Sequence, residues 1–547
     1  MSRPSPHIVA PFLVALSLSA VPSARAQQAR TLQVRAAAAT IVAADLMRDV
    51  SYIASDAMMG RATPSPGLDS AAAYVIRQLK QLGIKPMGDS GTYLQHYVVT
   101  QARLDTSKTF ATIGNERLTI GNDFLISSFL QPGTRVGSVV YVGNGVRATK
   151  RGRDPYAGLD VHGKWILVHA SGVPRRGVTY DSLGVIGLDY TTVLDEARAR
   201  GAIGLLVIPT SQQLSGWNAA RVNIPTGRDL DPTVGRAYAS YPLPQVLLSP
   251  NTVAKLFDAA TAAAVLSADS THVYPRAADL GAGKAVAVEF AATVSQVRPF
   301  NVVGLVEGSD SKLRDQWITV STHLDGAVGR GKTATGDSIY NAADDNGSGS
   351  AGNMALARAL IQGPRPKRSI LLVWDSGEET GLWGSRFLAY GPLASKVVAH
   401  FTVDMIARTK QPGTNVPGEE ELSPPGVVFV DGPAVLSTVL DSALAKVSRD
   451  FGYVRFDRRY EDPKHSFFYP RTDAAPYIEN GIPYMEFFTG LHGDYHRQTD
   501  EVGKLDPIKF EAVERTVYVT VWTVADGTER PRVDKPVPAV LWFIKPR

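Results

Sequence analysis

The sequence predicts an α/β protein in which helices sandwich a mixed, mainly parallel sheet, with a separate strand-rich insert. From about residue 295 onward, strands that are apolar throughout alternate with helices, as is typical of parallel sheets covered on both faces. Between about 135 and 290, short apolar strands dominate instead. The chain of 547 residues also exceeds what one ordinary hydrophobic core holds, so a second domain or a large insertion is expected.

The first 26 residues differ from the rest of the chain. They combine a basic start (MSRPSPH), an apolar run (IVAPFLVALSLSAV) and a small-residue site (SARAQQ), which together predict a secretory signal peptide cleaved after Ala26. An uncleaved membrane anchor is the alternative, but the apolar run is short for a span of about 20 residues. We therefore expect a secreted or periplasmic protein with no membrane span after signal removal.

Four parts follow the signal peptide at 1–26: the first part of the main domain at 27–130, the insert at 131–290, the core of the main domain at 291–530 and a tail at 531–547. Residues 38–85 are predicted to be helical, and SAAAYVIRQLKQLGIKP carries apolar residues at helical spacing. In the insert, SVVYVG, KWILVHA, IGLLVIP and PLPQVLL are predicted strands, with a helix TVLDEARARG before the third.

The core of the main domain alternates regularly. QWITVSTHLDG is a predicted strand, SGSAGNMALARALI a helix, RSILLVWDSGEE a strand that runs into a loop, and GLWGSRFLAY a helix, followed by strands HFTVDMIA and IPYMEFFTG. In such sheets ligands bind beyond the carboxyl ends of the strands. The site is therefore expected at that rim.

Composition excludes several kinds of function. The chain has no cysteine, which rules out thiolate metal ligands, a cysteine nucleophile and disulfides. The net charge is only +5 and no basic block stands out, so nucleic-acid binding is not expected. Neither G-x-S-x-G nor H-E-x-x-H occurs, which argues against an elbow-type serine hydrolase and a one-zinc protease of the helix-motif type.

Acidic and imidazole side chains gather at the predicted rim. They are His323 and Asp325, Asp344 and Asp345, Glu378 and Glu379, Asp404, and His492 and His496. The segment NAADDNGSGSAGN at 341–353 also contains a G-x-G-x-x-G pattern, but its two aspartates would repel a phosphate and no strand runs directly into the glycines. This loop is therefore predicted to serve a cation. Histidines with several carboxylates favour Zn²⁺, with Mn²⁺ or Co²⁺ as substitutes, and are enough for two ions.

Five motifs in order resemble those of the family-28 metallopeptidases: THLDG, ADDNGSGSA, WDSGEETGLWGS, VDMI and TGLHGDYHRQTDE. These are co-catalytic di-zinc aminopeptidases of the zinc exopeptidase fold, whose relatives include glutamate carboxypeptidase and the transferrin receptor. Weaker similarity covers residues 53–93, and the insert is similar to the protease-associated domain often found in this family.

The resemblance implies a role for each site residue. His323 and Asp404 would bind one zinc, Glu379 and His496 the other, and Asp345 would bridge them, with Asp344 a neighbour and not a ligand. Asp325 would orient the His323 imidazole. Glu378 would be the general base of a hydroxide that bridges the metals, Tyr495 an oxyanion donor, and Arg471 a contact for the substrate carbonyl or carboxylate.

The resemblance implies an aminopeptidase acting on peptides, with rivals left open. These are a carboxypeptidase or dipeptidase of the same family, a glutaminyl-cyclase-like transferase with a single zinc, and a non-catalytic binding protein like the receptor branch. His492 is expected either to support the site or to serve a turn. The chain also has Thr472, Asp473 and Ala474 where the family often has Ser-Asp-His, so the specificity pocket is expected to differ.

Overall fold

The computed structural model describes residues 24–129, 131–170, 179–180, 183–185, 187–222, 226–230, 243–271, 273–327, 329, 331–411, 413, 416–462, 472–538 and 541. Residues 1–23 of the predicted signal peptide lie outside these ranges, as does Arg471. Among the described helices, none combines the length and the apolar composition needed to cross a membrane.

Fourteen α-helices occur in the described residues. They are α1 (Ala24–Ala38), α2 (Ala43–Ile53), α3 (Pro66–Gln81), α4 (Val193–Ala199), α5 (Ser211–Ser215), α6 (Trp217–Ala220), α7 (Pro250–Ala254), α8 (Ala259–Thr271), α9 (Gly349–Gln362), α10 (Trp383–Tyr390), α11 (Pro433–Leu436), α12 (Thr438–Asp450), α13 (Ala474–Glu479) and α14 (Pro507–Asp526).

The strands of the described residues form five sheets. They are β1 (Lys85–Pro86), β2 (Leu94–His96), β3 (Val99–Leu104), β4 (Phe110–Ile113), β5 (Glu116–Thr119), β6 (Phe124–Ser128), β7 (Gly133–Gly137), β8 (Val139–Tyr141), β9 (Trp165–His169), β10 (Thr179–Tyr180), β11 (Gly184–Val185), β12 (Gly204–Ile208), β13 (Thr226–Leu230), β14 (Gln245–Leu248), β15 (Ala278–Asp279), β16 (Val286–Phe290), β17 (Ala292–Val297), β18 (Phe300–Val306), β19 (Trp317–His323), β20 (Ser369–Asp375), β21 (Val397–Val403), β22 (Val427–Asp431), β23 (Arg455–Asp457) and β24 (Tyr484–Phe488).

The main domain is built on a nine-stranded mixed sheet, which confirms the predicted fold class. Its four central strands, in the order β20–β19–β21–β24, are mutually parallel. The flanking strands β18 and β22 pair antiparallel with β20 and β24. At the edge of the sheet, β23 pairs parallel with β22. The four parallel strands at the centre stand side by side, and their carboxyl ends meet at one rim.

Helices cover both faces of this sheet because its strands are apolar on both sides. Ile370 and Leu372 pack into the core formed with α2, α3, α9, α12 and α14, whereas Leu371 and Val373 pack against α10 and α13. This alternation is what a pleated strand produces when both faces are buried. Within the region 38–85 that is predicted to be helical, the run SAAAYVIRQLKQLGIKP lies mostly in α3. The Ser65 side chain caps the first turn of α3 by accepting from the Leu68 N–H, and Pro66 stands at the first position.

The insert contains the strands predicted from its apolar runs. These strands are part of a six-stranded sheet with the order β15–β8–β9–β12–β14–β6, in which the four central strands are parallel. The predicted helix between β9 and β12 is α4. A capping box of Thr192 and Asp195 stabilises its first turn. Three further antiparallel sheets, β5–β4–β16–β7, β13–β3–β17 and β10–β11, occur in this region.

The sheets of the insert reach back before residue 131. Strands β3 to β6, between 99 and 128, pair with β14, β16 and β17 and not with the central sheet. Their mixed sequences, such as VTQARL and ERLT, carry too few apolar residues to stand out. The boundaries at 131 and 290 stay predictions, and the strand pairing leads us to propose limits near 98 and 298 instead.

Candidate metal centre

The site residues lie at the carboxyl ends of three parallel strands, which form one rim of the central sheet. Strand β19 ends at His323, which stands opposite Asp375 at the end of β20, and the loop after β20 carries Glu378 and Glu379. Asp404 directly follows β21. Because these strands end at the same level, residues from distant parts of the sequence lie next to each other, as expected for the switch region of an α/β sheet.

One group of ligands surrounds the buried imidazole of His323. Its Nε2 atom lies 3.3 Å from Asp345 Oδ1 and 3.5 Å from Asp404 Oδ1. These three side chains form a set whose ligand atoms are close enough to hold one metal ion. We call His323 and Asp404 the closed half of the centre, since both side chains are largely buried.

A second group lies on the other side of Asp345. The Nε2 atom of His496 lies 3.2 Å from Asp345 Oδ2 and 3.1 Å from Glu379 Oε2. Asp345 therefore turns one carboxylate oxygen to each imidazole, and the two groups share it. We call Glu379 and His496 the open half, because the His496 side chain is 41% exposed.

The donor atoms fit a cation because they have nothing else to bind. His323 Nε2, Asp345 Oδ2, Glu379 Oε1 and Asp404 Oδ1 are all buried without a hydrogen-bond partner among the described residues. Buried polar atoms are normally satisfied, and clustered carboxylates repel one another. Imidazole nitrogens and carboxylate oxygens are the ligands that Zn²⁺ takes in proteins lacking thiolate ligands.

The loop that carries Asp345 is held by backbone contacts and one glycine. Asp500 accepts hydrogen bonds from the N–H groups of Asp344 and Asp345, at 3.1–3.2 Å. Gly349 then begins α9 where a Cβ atom would lie 2.3 Å from both the Asn346 side chain and the Val403 carbonyl. The absence of a side chain at Gly349 thus permits the close approach of this loop to the end of β21.

Asp325 contacts the imidazole of His323 through its backbone. The His323 Nδ1–H group donates to the Asp325 backbone carbonyl at 2.9 Å, whereas the Asp325 carboxylate is 3.9 Å from Nδ1. Because a carbonyl only accepts, the proton is fixed on Nδ1 and Nε2 keeps its lone pair for a metal. The carboxylate instead accepts from the Glu378 N–H at 3.3 Å and so positions the loop of Glu378.

Glu378 lies beside the ligands and lines a cavity with Asp345 and Asp404. Burial raises the pKa of Glu378 well above its usual range, and the neighbouring Glu379 carboxylate raises that pKa further, against the opposing effect of His323. A carboxyl group with a raised pKa is suited to accepting and returning a proton.

Asp344 and His492 form a pair outside the two ligand groups. The His492 Nε2 atom lies 3.4 Å from Asp344 Oδ2, and Asp344 Oδ1 accepts from the Ala407 N–H at 2.9 Å. Asp344 is therefore turned away from the metal ligands, and His492 is a buried support for its loop. Tyr495 lines the cavity and stacks its ring on His496, with centroids 3.7 Å apart.

Comparison with known proteins identifies the domain that holds these ligands. Residues 301–521 match the model described as peptidase family M28. The domain at 301–521 is thus a peptidase domain of family M28. The family match together with the histidine and carboxylate cluster makes the chain a metallopeptidase.

Solved structures resemble this M28 peptidase over most of its length. An aminopeptidase from Aneurinibacillus sp. strain AM-1 is similar over 93% of this chain and 98% of its own, at 17% identity and a TM-score of 0.52. A zinc aminopeptidase from Bacillus subtilis matches 88% of this chain and 95% of its own, at 13% identity and a TM-score of 0.45. A peptidase M28 precursor from Shewanella amazonensis SB2B matches 94% and 98%, at 14% identity and a TM-score of 0.41. The first of these supports the fold.

Two residues of the M28 peptidase that sequence reasoning missed hold the metal loops from the N-terminal segment. The fully buried guanidinium of Arg61 donates to the carbonyls of Leu324, Asn341 and Ala342, at 2.8–3.0 Å. The Thr63 hydroxyl accepts from the Gly377 N–H at 3.0 Å. The weak family resemblance of residues 53–93 was the signal that could have indicated them.

Proposed function

We propose that this peptidase is a secreted or periplasmic zinc exopeptidase, an aminopeptidase that removes N-terminal residues from peptides. The observation that carries the proposal is Asp345, whose two oxygens face two separate histidine–carboxylate groups. This arrangement supports two metal ions per chain, with Zn²⁺ as the native metal and Mn²⁺ or Co²⁺ as substitutes.

The ligands divide between the two ions. His323 and Asp404 would hold one, Glu379 and His496 the other, and Asp345 both. When bound, the ions supply Lewis-acid chemistry, which acidifies water and polarises a carbonyl oxygen.

The chain's own residues supply the proton transfer and the positioning. The Glu378 carboxylate accepts the proton of the attacking water and returns it to the leaving amine, a role suited to its raised pKa. The Tyr495 hydroxyl donates to the oxygen that becomes negative as the carbonyl is attacked. The Asp325 carbonyl keeps the proton of His323 on Nδ1, and the Asp325 carboxylate holds the Glu378 backbone throughout.

The charge of the cavity favours an aminopeptidase over a carboxypeptidase. Beyond the proposed metal ligands Asp345 and Asp404, whose charges bound ions would offset, its lining carries the carboxylates of Glu378 and Glu486, and none of the described lining residues is Lys, Arg or His. Such a surface attracts the ammonium group of a peptide N-terminus and repels a C-terminal carboxylate. Arg471, which the resemblance implies for substrate binding, lies outside the described residues and stays a prediction.

One assay set tests the proposal. Free aminoacyl, dipeptidyl and N-terminally blocked substrates should be compared with and without a chelator, alongside the zinc content of the protein. We expect chelator-sensitive release of single N-terminal residues and two zinc ions per chain. Release of C-terminal residues would favour the carboxypeptidase rival, and one zinc with cyclisation of N-terminal glutamine would favour the cyclase rival.

The predicted export is tested separately. N-terminal sequencing of the mature protein recovered from outside the cytoplasm should begin at Gln27, since cleavage is predicted after Ala26. A mature protein that retains Met1 in the cytoplasm would contradict this part of the proposal.

A further inference from the structure

The cavity beside the ligands ends at a buried carboxylate that the proposed mechanism does not use. Glu486 is 2% exposed and lines the cavity. Its Oε2 atom accepts a hydrogen bond from the Thr472 hydroxyl at 2.9 Å, whereas Oε1 has no hydrogen-bond partner among the described residues. Since a buried carboxylate oxygen is costly to leave unpaired, Oε1 points to a donor that arrives with the substrate.

Glu486 lies below the level of the metal ligands. It stands opposite Thr402 on the neighbouring parallel strand, and Asp404 comes two residues after Thr402 at the rim. Two residues of an extended strand span about 6–7 Å. A substrate whose N-terminal ammonium group stays at the rim, beside Asp404 and Glu378, would therefore direct its first side chain toward Glu486.

The walls between the rim and Glu486 are apolar. Met405, Phe488, Leu491 and Tyr495 line the same cavity. Met405 and Phe488 belong to one cluster of buried hydrophobic side chains, and Leu491 and Tyr495 pack against that cluster. Phe488 follows Glu486 by two residues on β24, so both side chains point to the same face of the sheet.

An apolar passage that ends at a carboxylate matches one class of side chain. Lysine and arginine carry a stem of methylene groups and a cationic end that donates hydrogen bonds. An acidic side chain would meet Glu486 as a like charge, and an aliphatic one would leave Glu486 Oε1 unpaired.

We propose that Glu486 selects peptides with an N-terminal lysine or arginine, by accepting a hydrogen bond from the cationic end of that side chain. The inference rests on the proposed aminopeptidase function. Thr472 positions the carboxylate by holding Oε2, which leaves Oε1 for the substrate.

The test compares kcat/KM for lysyl, arginyl, norleucyl and glutamyl p-nitroanilides in the zinc-loaded wild type and in Glu486→Gln. Gln keeps the size of the side chain and an acceptor for Thr472. We expect the wild type to favour lysyl and arginyl substrates. The substitution should lower the lysyl-to-norleucyl ratio of kcat/KM by roughly 10- to 100-fold, as for loss of a buried charged hydrogen bond.

Glu421→Gln is the matched control. Glu421 is exposed, lies near Tyr460 of the same hydrophobic cluster and is not among the lining residues, so the ratio should not change. Inhibition of the wild type by free lysine and norleucine gives a second measurement that needs no variant, and lysine should bind at least tenfold more tightly.

Three results would overturn the inference. An unchanged ratio in Glu486→Gln with equal inhibition by lysine and norleucine would mean that Glu486 does not meet the side chain. An equal loss for all substrates would assign Glu486 to the N-terminal ammonium group instead. A wild type that cleaves none of the unblocked substrates would refute the aminopeptidase proposal itself, and the inference with it.

Discussion

The two halves of the candidate metal centre share Asp345 but differ in their exposure to solvent. In the closed half the His323 side chain is 1% exposed, whereas in the open half the His496 side chain is 41% exposed. An ion in the open half exchanges ligands with water more readily than one enclosed by buried side chains. The difference suggests that the closed half holds its ion through the catalytic cycle, while water and substrate enter from the open half.

The difference has a cause in the backbone. His323 is the last residue of a buried strand and its Nδ1 is fixed by a carbonyl. His496 lies in the loop after β24 at a φ of +57°, a left-handed conformation that non-glycine residues rarely adopt. The position of the His323 imidazole is thus fixed by the central sheet, whereas the position of the His496 imidazole depends on the conformation of its loop.

Removal of the shared ligand should have the largest effect, because it breaks both halves at once. Asp345→Asn is expected to lose both zinc ions and all measurable peptidase activity, measured by metal content after dialysis and by initial rates. Asp344→Asn is the matched control, since Asp344 faces Ala407 and His492 and not the ligands. Asp345→Asn with two zinc ions still bound would contradict the bridging role.

Glu378→Gln should separate chemistry from metal binding. We expect kcat to fall by about 10²–10⁴-fold, the usual contribution of general acid–base catalysis, with both ions retained. Measuring the zinc content and kcat of the same preparation of Glu378→Gln checks this prediction. A variant with wild-type kcat would exclude Glu378 as the base.

Alanine at each histidine should distinguish the halves directly. His496→Ala is expected to lose the ion of the open half and to retain one zinc ion. His323→Ala is expected to lower the zinc affinity more strongly, because it removes the buried imidazole ligand and not the exposed one. A chelator titration of the wild type should likewise remove the ions in two steps. Identical metal affinities in the two variants would mean that exposure does not govern retention.

Arg61→Met should weaken both halves through their loops. It leaves buried carbonyls without donors, so we expect about 2–4 kcal/mol lower free energy of unfolding together with weaker zinc binding. Urea unfolding and zinc titration measure this, with Arg77→Met as an exposed control that contacts only the Tyr74 ring in the described residues. If Arg61→Met bound zinc with unchanged affinity, Arg61 would contribute only to the stability of the fold and not to metal binding.

The strands of the central sheet and the rim that they form could be predicted because their sequences are apolar throughout. His323 ends such a strand, Asp404 directly follows one and Glu379 lies in the loop after one, so their convergence follows from parallel pairing. His496 and Asp345 lie in loops, whose sequences have no hydrophobic periodicity, so they could be predicted only from the resemblance of the motifs to those of the family. Strands β3 to β6 were not predicted, because their alternating polar residues resemble loop sequence.

Other parts of the site could not be predicted because they depend on tertiary contacts. Nothing in the sequence near Arg61 indicates that its guanidinium crosses to carbonyls some 260–280 positions further along the chain. The sequence predicts that Asp325 orients His323, but it does not show that the backbone carbonyl of Asp325 makes this contact. Glu486 is a single charged residue within an otherwise apolar strand. Its position below the metal ligands is seen only in the pairing of β24 with β21, where Glu486 lies opposite Thr402, two residues before Asp404.

Anomalous diffraction at the zinc edge, from crystals of the zinc-loaded protein, tests the central claim most directly. We predict two peaks, roughly 3.5–4 Å apart as in other two-metal sites. One should lie between His323 and Asp404 and the other between Glu379 and His496, each next to one oxygen of Asp345. A single peak, or peaks away from these five side chains, would contradict a shared two-ion centre.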